Sequence, residues 1–77
     1  MTRKEVLNLM CDIARQPHGS ITADAELQTV PGWDSLAGVE FEMHVLSRWD
    51  VELDTMRVTE AVKVAEILAL FGARLEN

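Results

Sequence analysis

The chain has one cysteine, no tyrosine, two prolines, and seven lysines and arginines against thirteen acidic residues in 77 positions. A single cysteine, Cys11, excludes an internal disulfide framework and fits a reducing compartment. The shortage of cations leaves a formal charge of −6. Such a surface repels nucleic acid and anionic membranes and favours basic protein partners. No apolar run approaches the roughly 18 residues of a membrane span, and the opening Met1-Thr2-Arg3-Lys4-Glu5 does not read as a signal peptide. The expectation is a cytoplasmic, free-standing domain that binds neither nucleic acid nor membrane. Size excludes more. A chain this short buries only about 60% of its unfolded surface, and its 48% hydrophobic content suffices for one core. Little is left for a substrate pocket of roughly 300–1,000 Å³. Residues 1–77 therefore read as one domain with no catalytic residues.

What is present is helical periodicity. Thr2-Arg3-Lys4-Glu5 is a capping box, with Thr2 as N-cap and Glu5 reaching back. Val6, Leu7, Leu9, Met10, Ile13 and Ala14 then share one face, with Lys4, Asn8, Asp12 and Arg15 on the other and Cys11 at the edge of the apolar stripe. Gln16-Pro17-His18-Gly19 ends this helix. Residues 16–33 lack sustained periodicity. Ile21 and Leu27 are the expected anchors of this long loop, residues 22–26 suit one irregular helical turn, and Val30-Pro31-Gly32 reads as an extended residue before a tight turn. Trp33 is expected to bury its ring and fix the approach to Ser35.

A second helix is predicted over residues 35–48, with Asp34 as its N-cap. Leu36, Val39, Met43 and Leu46 repeat at helical spacing, widened by Val45 and Trp49, and form the expected core stripe. Glu40, His44, Ser47 and Arg48 take the opposite face. Glu42 falls inside the apolar arc and is expected at its rim with a partner, because a buried unpaired carboxylate is costly. Val51 and Leu53 alternate with acidic residues over too short a stretch for a strand. Asp54 or Thr55 caps a short third helix over residues 56–62, and a fourth carries Val64, Ile67, Leu68, Phe71 and Leu75 on one face. The fold class is all-α: a small four-helix bundle with a long loop between helices 1 and 2 and a short third helix.

Ser35 is the residue with chemical promise. A hydroxyl on the first helical turn lies among backbone N–H groups that lack intrahelical partners, at the positive end of the dipole. That place suits a covalently attached phosphate. Leu27, then Pro31-Gly32-Trp33-Asp34-Ser35-Leu36, then Val39-Glu40 and Met43 resembles the acyl carrier protein family. So do Trp49, Val51-Glu52-Leu53 and the later Val64-Ala65-Glu66-Ile67-Leu68, and the match covers nearly the whole chain. The resemblance implies a bundle of acyl carrier type in which Ser35 carries 4′-phosphopantetheine, added by a phosphopantetheinyl transferase, with an acyl group held as a thioester. It implies a monomer that visits an acyl-loading or adenylating enzyme and downstream synthase or tailoring enzymes.

Family members are recognised through the second helix, and Leu36, Glu40 and Met43 match positions that serve this role beside Asp34. Ala37 stands where an acidic residue is common, and Ser47-Arg48 replace an acidic pair. The expected docking face is therefore less electrostatic and more apolar, including Ala37 and Phe41. This departure points toward polyketide, hybrid-peptide or other specialised, antibiotic-type biosynthesis. Two alternatives stay open: a peptidyl or aminoacyl carrier loaded by an adenylating enzyme, and a helical interaction module that is never modified.

Other candidates read as ordinary. Glu40 and His44 lie one turn apart, but two ligands do not make a metal site, and a solvated i,i+4 pair is expected. Ser35 and His44 are more than two turns apart on one helix, and no Gly-x-Ser-x-Gly elbow surrounds the serine. His18 is expected to face solvent and the two tryptophans to pack. Gly38 inside the second helix admits two readings: a close approach for a partner or the arm, or a tolerated small residue that lowers helix stability by about 1 kcal/mol.

Overall fold

In the computed structural model, which describes residues 1–76, the Thr2 hydroxyl accepts the Glu5 N–H at 3.1 Å and Glu5 accepts the Thr2 N–H at 2.9 Å. This reciprocal cap satisfies two of the orphan donors of helix α1, Arg3–Ala14. Arg15 ends α1 in the left-handed region at φ 59°, ahead of Pro17. Val6, Leu9, Met10 and Ala14 are buried as the periodicity requires. Cys11 is fully buried too, inside the core and not at its edge; its Sγ lies 3.9 Å from the Ser20 hydroxyl.

The following loop is tied down along its length. Ile21 and Leu27 are its buried anchors, joined by Val30. The expected irregular turn is confined to an Ala25 N–H to Thr22 carbonyl bond, and the regular turn comes later, as a 3₁₀ segment over Leu27–Thr29. Gly32, at φ +83°, makes the tight turn against the end of α1, so close that a Cβ there would overlap the Ala14 carbonyl. Helix α2, Ser35–Trp49, begins on Asp34, whose carboxylate accepts the Ala37 N–H at 2.8 Å. Helix α3, Thr55–Glu60, begins on Asp54, whose Oδ1 accepts from Met56 and Arg57.

Helix α4, Val64–Ala69, is shorter than its apolar pattern suggests, and a 3₁₀ turn over Gly72–Arg74 follows at the positive φ of Gly72. The loop supplies the cap that the start of α4 lacks. Carbonyls of Ala25 and Ala23 accept the N–H groups of Val64 and Ala65 at 3.0 and 2.9 Å, and Leu27 donates to Val62 at 2.8 Å. Glu66 reaches back to the N–H groups of Lys63 and Val62 at 2.7 and 2.9 Å.

The result is a small, mostly helical fold with four α-helices and, among the described residues, two isolated β-bridges in place of any strand. Its core is crossed by a chain of edge-to-face aromatic rings: Trp33 to Phe41 at 5.7 Å, Phe41 to Phe71 at 6.3 Å, and Phe71 to Trp49 at 6.5 Å. These contacts join the loop, α2 and the segment after α4.

The inward face of α2 is shifted around the helix from the stripe expected: Val45 of that stripe is buried and Trp49 half-buried, but its other members are not. Ala37, Gly38, Phe41 and Val45 are buried, while Leu36, Val39, Met43 and Leu46 are 45–66% exposed. Apolar residues occupy both sides of this helix. The side with the two smallest ones faces α3, where Gly38 comes close to Val58. The stripe of larger side chains is left in solvent.

Candidate functional site

Ser35 is exposed on the first turn of α2. Three neighbours fix its position. Asp34 caps the helix through Ala37, so its carboxylate is engaged on the helix end. Trp33, half-buried, lays its ring against Phe41 and so ties the entry of the chain to the core. Pro31-Gly32 turns the backbone at the end of α1. Ser35 is thus exposed at a helix start that its neighbours tie to the core. Beside it opens a cleft of about 180 Å³, lined by Trp33, Gly38, Val58 and Thr59 among others.

The remaining residues singled out from the sequence divide into two groups. Leu36, Glu40 and Met43 lie on the exposed side of α2, with Asp34 exposed at its start. Ala37, at 5% exposure, and Phe41, at 0%, are core residues. Both were expected on a docking face, and direct contact with a partner is corrected for both: they lie on the side of α2 that packs inward. The residues that the sequence reading missed are Val39 and Leu46, placed in the core stripe but exposed. Met56, 67% exposed on the first turn of α3, is a further apolar residue in solvent. The phase of Ser35 carried the signal. At 100° per residue, Val39 and Leu46 point within about 40° of it, on the same side of the helix as the exposed serine.

Glu42 is half-buried at the rim and accepts the Thr55 hydroxyl at 2.7 Å, a bond between α2 and the start of α3. Glu40 and His44 are both exposed, and among the described residues the ion pairs lie elsewhere. Nine residues of helix, about 13 Å, separate Ser35 from His44. His18 faces solvent as expected, with Nε2 2.6 Å from Asp12 Oδ1. Arg48 turns away from the exposed stripe and stacks over the Trp49 ring at 4.9 Å.

Two glutamates are held below the ordinary carboxylate range by backbone N–H groups. Glu5 is lowered by the Thr2 N–H, and Glu66 by the Lys63 and then the Val62 N–H. Both serve helix starts and lie outside the site. No helix is long and apolar enough to cross a membrane among the described residues. No protein-family model matches the chain, and no curated protein matches it.

Proposed function

We propose that this chain is an acyl carrier protein of the four-helix type, with Ser35 as the attachment point for 4′-phosphopantetheine. The single observation that carries the reading is an exposed serine on the first turn of a 15-residue helix whose start is tied to the core. The surroundings fit a phosphodiester. The first backbone N–H groups of α2 lack helical acceptors, the dipole favours an anion there by roughly 0.3–1 kcal/mol, and Asp34 is engaged in its cap. When bound, the group supplies a flexible arm ending in a thiol that holds the cargo as a thioester. The protein supplies the tether and the address, and the arm raises the local concentration of cargo at a docked enzyme. The cargo class that best suits a carrier with an apolar second helix is a polyketide or related specialised intermediate.

Incubation with coenzyme A and a broad-specificity phosphopantetheinyl transferase, followed by intact mass spectrometry, tests this. One added phosphopantetheine on the wild type and none on Ser35→Ala is the expected result. An unchanged wild-type mass refutes the proposal and leaves the unmodified interaction module. Subsequent loading by an adenylating enzyme with an amino acid, and by no acyltransferase, would assign the carrier to the aminoacyl type.

A further inference from the structure

The four methionines of the chain fall into two pairs. Met10 is fully buried, and the side chain of Met1 is 5% exposed. Met43 on α2 and Met56 on α3 are 66 and 67% exposed, the two most exposed large apolar residues among those described. They flank one joint. Glu42, next to Met43, accepts the hydroxyl of Thr55, next to Met56, at 2.7 Å. Met43, Leu46, Leu53 and Thr55 share the lining of a cleft of about 280 Å³ at this junction. Two thioethers are thus open to solvent on either side of the bond between α2 and the start of α3.

Susceptibility of sulfur to oxidation follows access, and access separates these groups. The one thiol, Cys11, is sealed in the core. A dissolved oxidant therefore meets the thioethers of Met43 and Met56 first.

We infer that Met43 and Met56 are a pair of reversible oxidation sites that switch the surface at the α2–α3 joint from apolar to polar. In the forward step a sulfur lone pair attacks one oxygen of hydrogen peroxide. An S–O bond forms, the O–O bond breaks, and the sulfur gives up two electrons. The proton of the attacked oxygen passes to the departing hydroxide, which leaves as water. In the return step a sulfoxide reductase takes two electrons from a dithiol. The sulfoxide oxygen leaves as water with the two thiol protons, and the dithiol closes to a disulfide. Each sulfoxide epimer needs its own reductase.

The placement of the two residues makes the change local. Neither belongs to the hydrophobic core or packs against it, whereas Met10 lies within it. Sulfoxidation turns a flexible apolar side chain into a polar one, which disrupts a packed interior but only alters an exposed surface. The inference is independent of the carrier reading, since it concerns accessible sulfur and needs no arm on Ser35.

The experiment treats folded Ser35→Ala, which can carry no arm thiol, with hydrogen peroxide and locates the added oxygen by peptide mass spectrometry. Two oxygens are expected, on Met43 and Met56, at rates about tenfold or more above those of Met10 and Met1. Replacing both residues by leucine, an apolar side chain of similar volume, should stop the uptake. Hydrophobic-interaction chromatography reads the surface: oxidised protein should elute earlier, and peroxide should leave the elution of the leucine variant unmoved. The melting temperature should shift by less than about 3 °C on oxidation. The two epimer-specific sulfoxide reductases with dithiothreitol should restore both mass and elution.

Equal oxidation of all four methionines in the folded chain overturns the inference, as does first uptake at Met10 or Cys11. Oxidation of Met43 and Met56 with unchanged elution overturns the switch of surface character. A cooperative melt lost on oxidation overturns the local effect, and sulfoxides that neither reductase removes overturn reversibility. None of these outcomes touches the carrier reading, which stands or falls on the mass added to Ser35.

Discussion

Gly32 and Gly38 flank Ser35 and use the missing side chain in opposite ways. Gly32 sits at φ +83° with its Cα against the Ala14 carbonyl. An alanine there meets both a left-handed backbone, worth about 1–2 kcal/mol for an L-residue, and a collision with main chain that cannot rotate away. Gly32→Ala should destabilise the fold by at least that amount in urea titration and slacken the mount of Ser35; unchanged stability would contradict the close approach. Gly38 is different. A Cβ at that position would lie 3.6 Å from Val58 Cγ1, an ordinary packing distance. Gly38→Ala should therefore stabilise the protein by about 1 kcal/mol through helix propensity, with the rate of Ser35 modification unchanged. A slower modification at unchanged or higher stability would show instead that the arm or the transferase needs the space beside Val58.

At the scale of the element, each helix start is built by side chains or loop carbonyls that meet unpaired N–H groups, and two of the capping carboxylates, Glu5 and Glu66, are shifted below their ordinary value. Glu5 and Glu66 accept backbone N–H groups at the starts of α1 and α4, which lowers their pKa values. A carboxylate whose folded pKa lies below its unfolded value adds stability that is fully present above the unfolded value, near pH 4 for glutamate. That stability is lost as pH falls through the folded value. Melting temperatures measured from pH 7 down to about pH 2.5 should therefore decline for the wild type in the acid limb. Glu66→Gln keeps an acceptor oxygen but removes the titration, so its curve should be flatter there. Superimposable wild-type and variant curves would mean that the α4 cap contributes no charge-dependent stability.

Over the whole molecule, the loop between α1 and α2 is as much part of the structure as the helices. Its carbonyls cap α4, its apolar residues Ile21, Leu27 and Val30 enter the core, and Trp33 joins the aromatic chain through Phe41 and Phe71 to Trp49. Phe41 is the joint, with one ring on each side. Its truncation to alanine should cost about 3–5 kcal/mol, a large share of the 5–15 kcal/mol that holds an ordinary domain together. Phe41→Ala should show a broadened or absent thermal transition in circular dichroism. A cooperative melt within a few degrees of wild type would show that Phe41 is not the central packing residue. The exposed stripe on α2 also belongs to this scale, since only the assembled fold determines that none of the described residues covers it.

Local signals were legible wherever the physics is local. The Thr2–Glu5 capping box, the Asp34 and Asp54 caps and the turn at Gly32 follow from residue types at fixed short spacings, and the anchors Ile21 and Leu27 and the rim position of Glu42 from their apolar or charged character within the pattern. The position of Ser35 at a helix start was equally readable. The length of α4 was not, because Phe71 continues the apolar pattern while Gly72 bends the backbone away from it. Nor was the orientation of α2. Its sequence places apolar residues on two opposite sides, and periodicity measures that they repeat, not which side meets the rest of the chain. The amino-acid order by itself determined four helices, the starts of the first three and a serine at the second of them, since side-chain caps and turns act over three or four residues. Only the tertiary structure decided that Ala37 and Phe41 lie inside while Val39, Met43 and Leu46 face water, because that choice depends on how closely α3 and the aromatic chain can approach a helix whose smallest residues lie on one side.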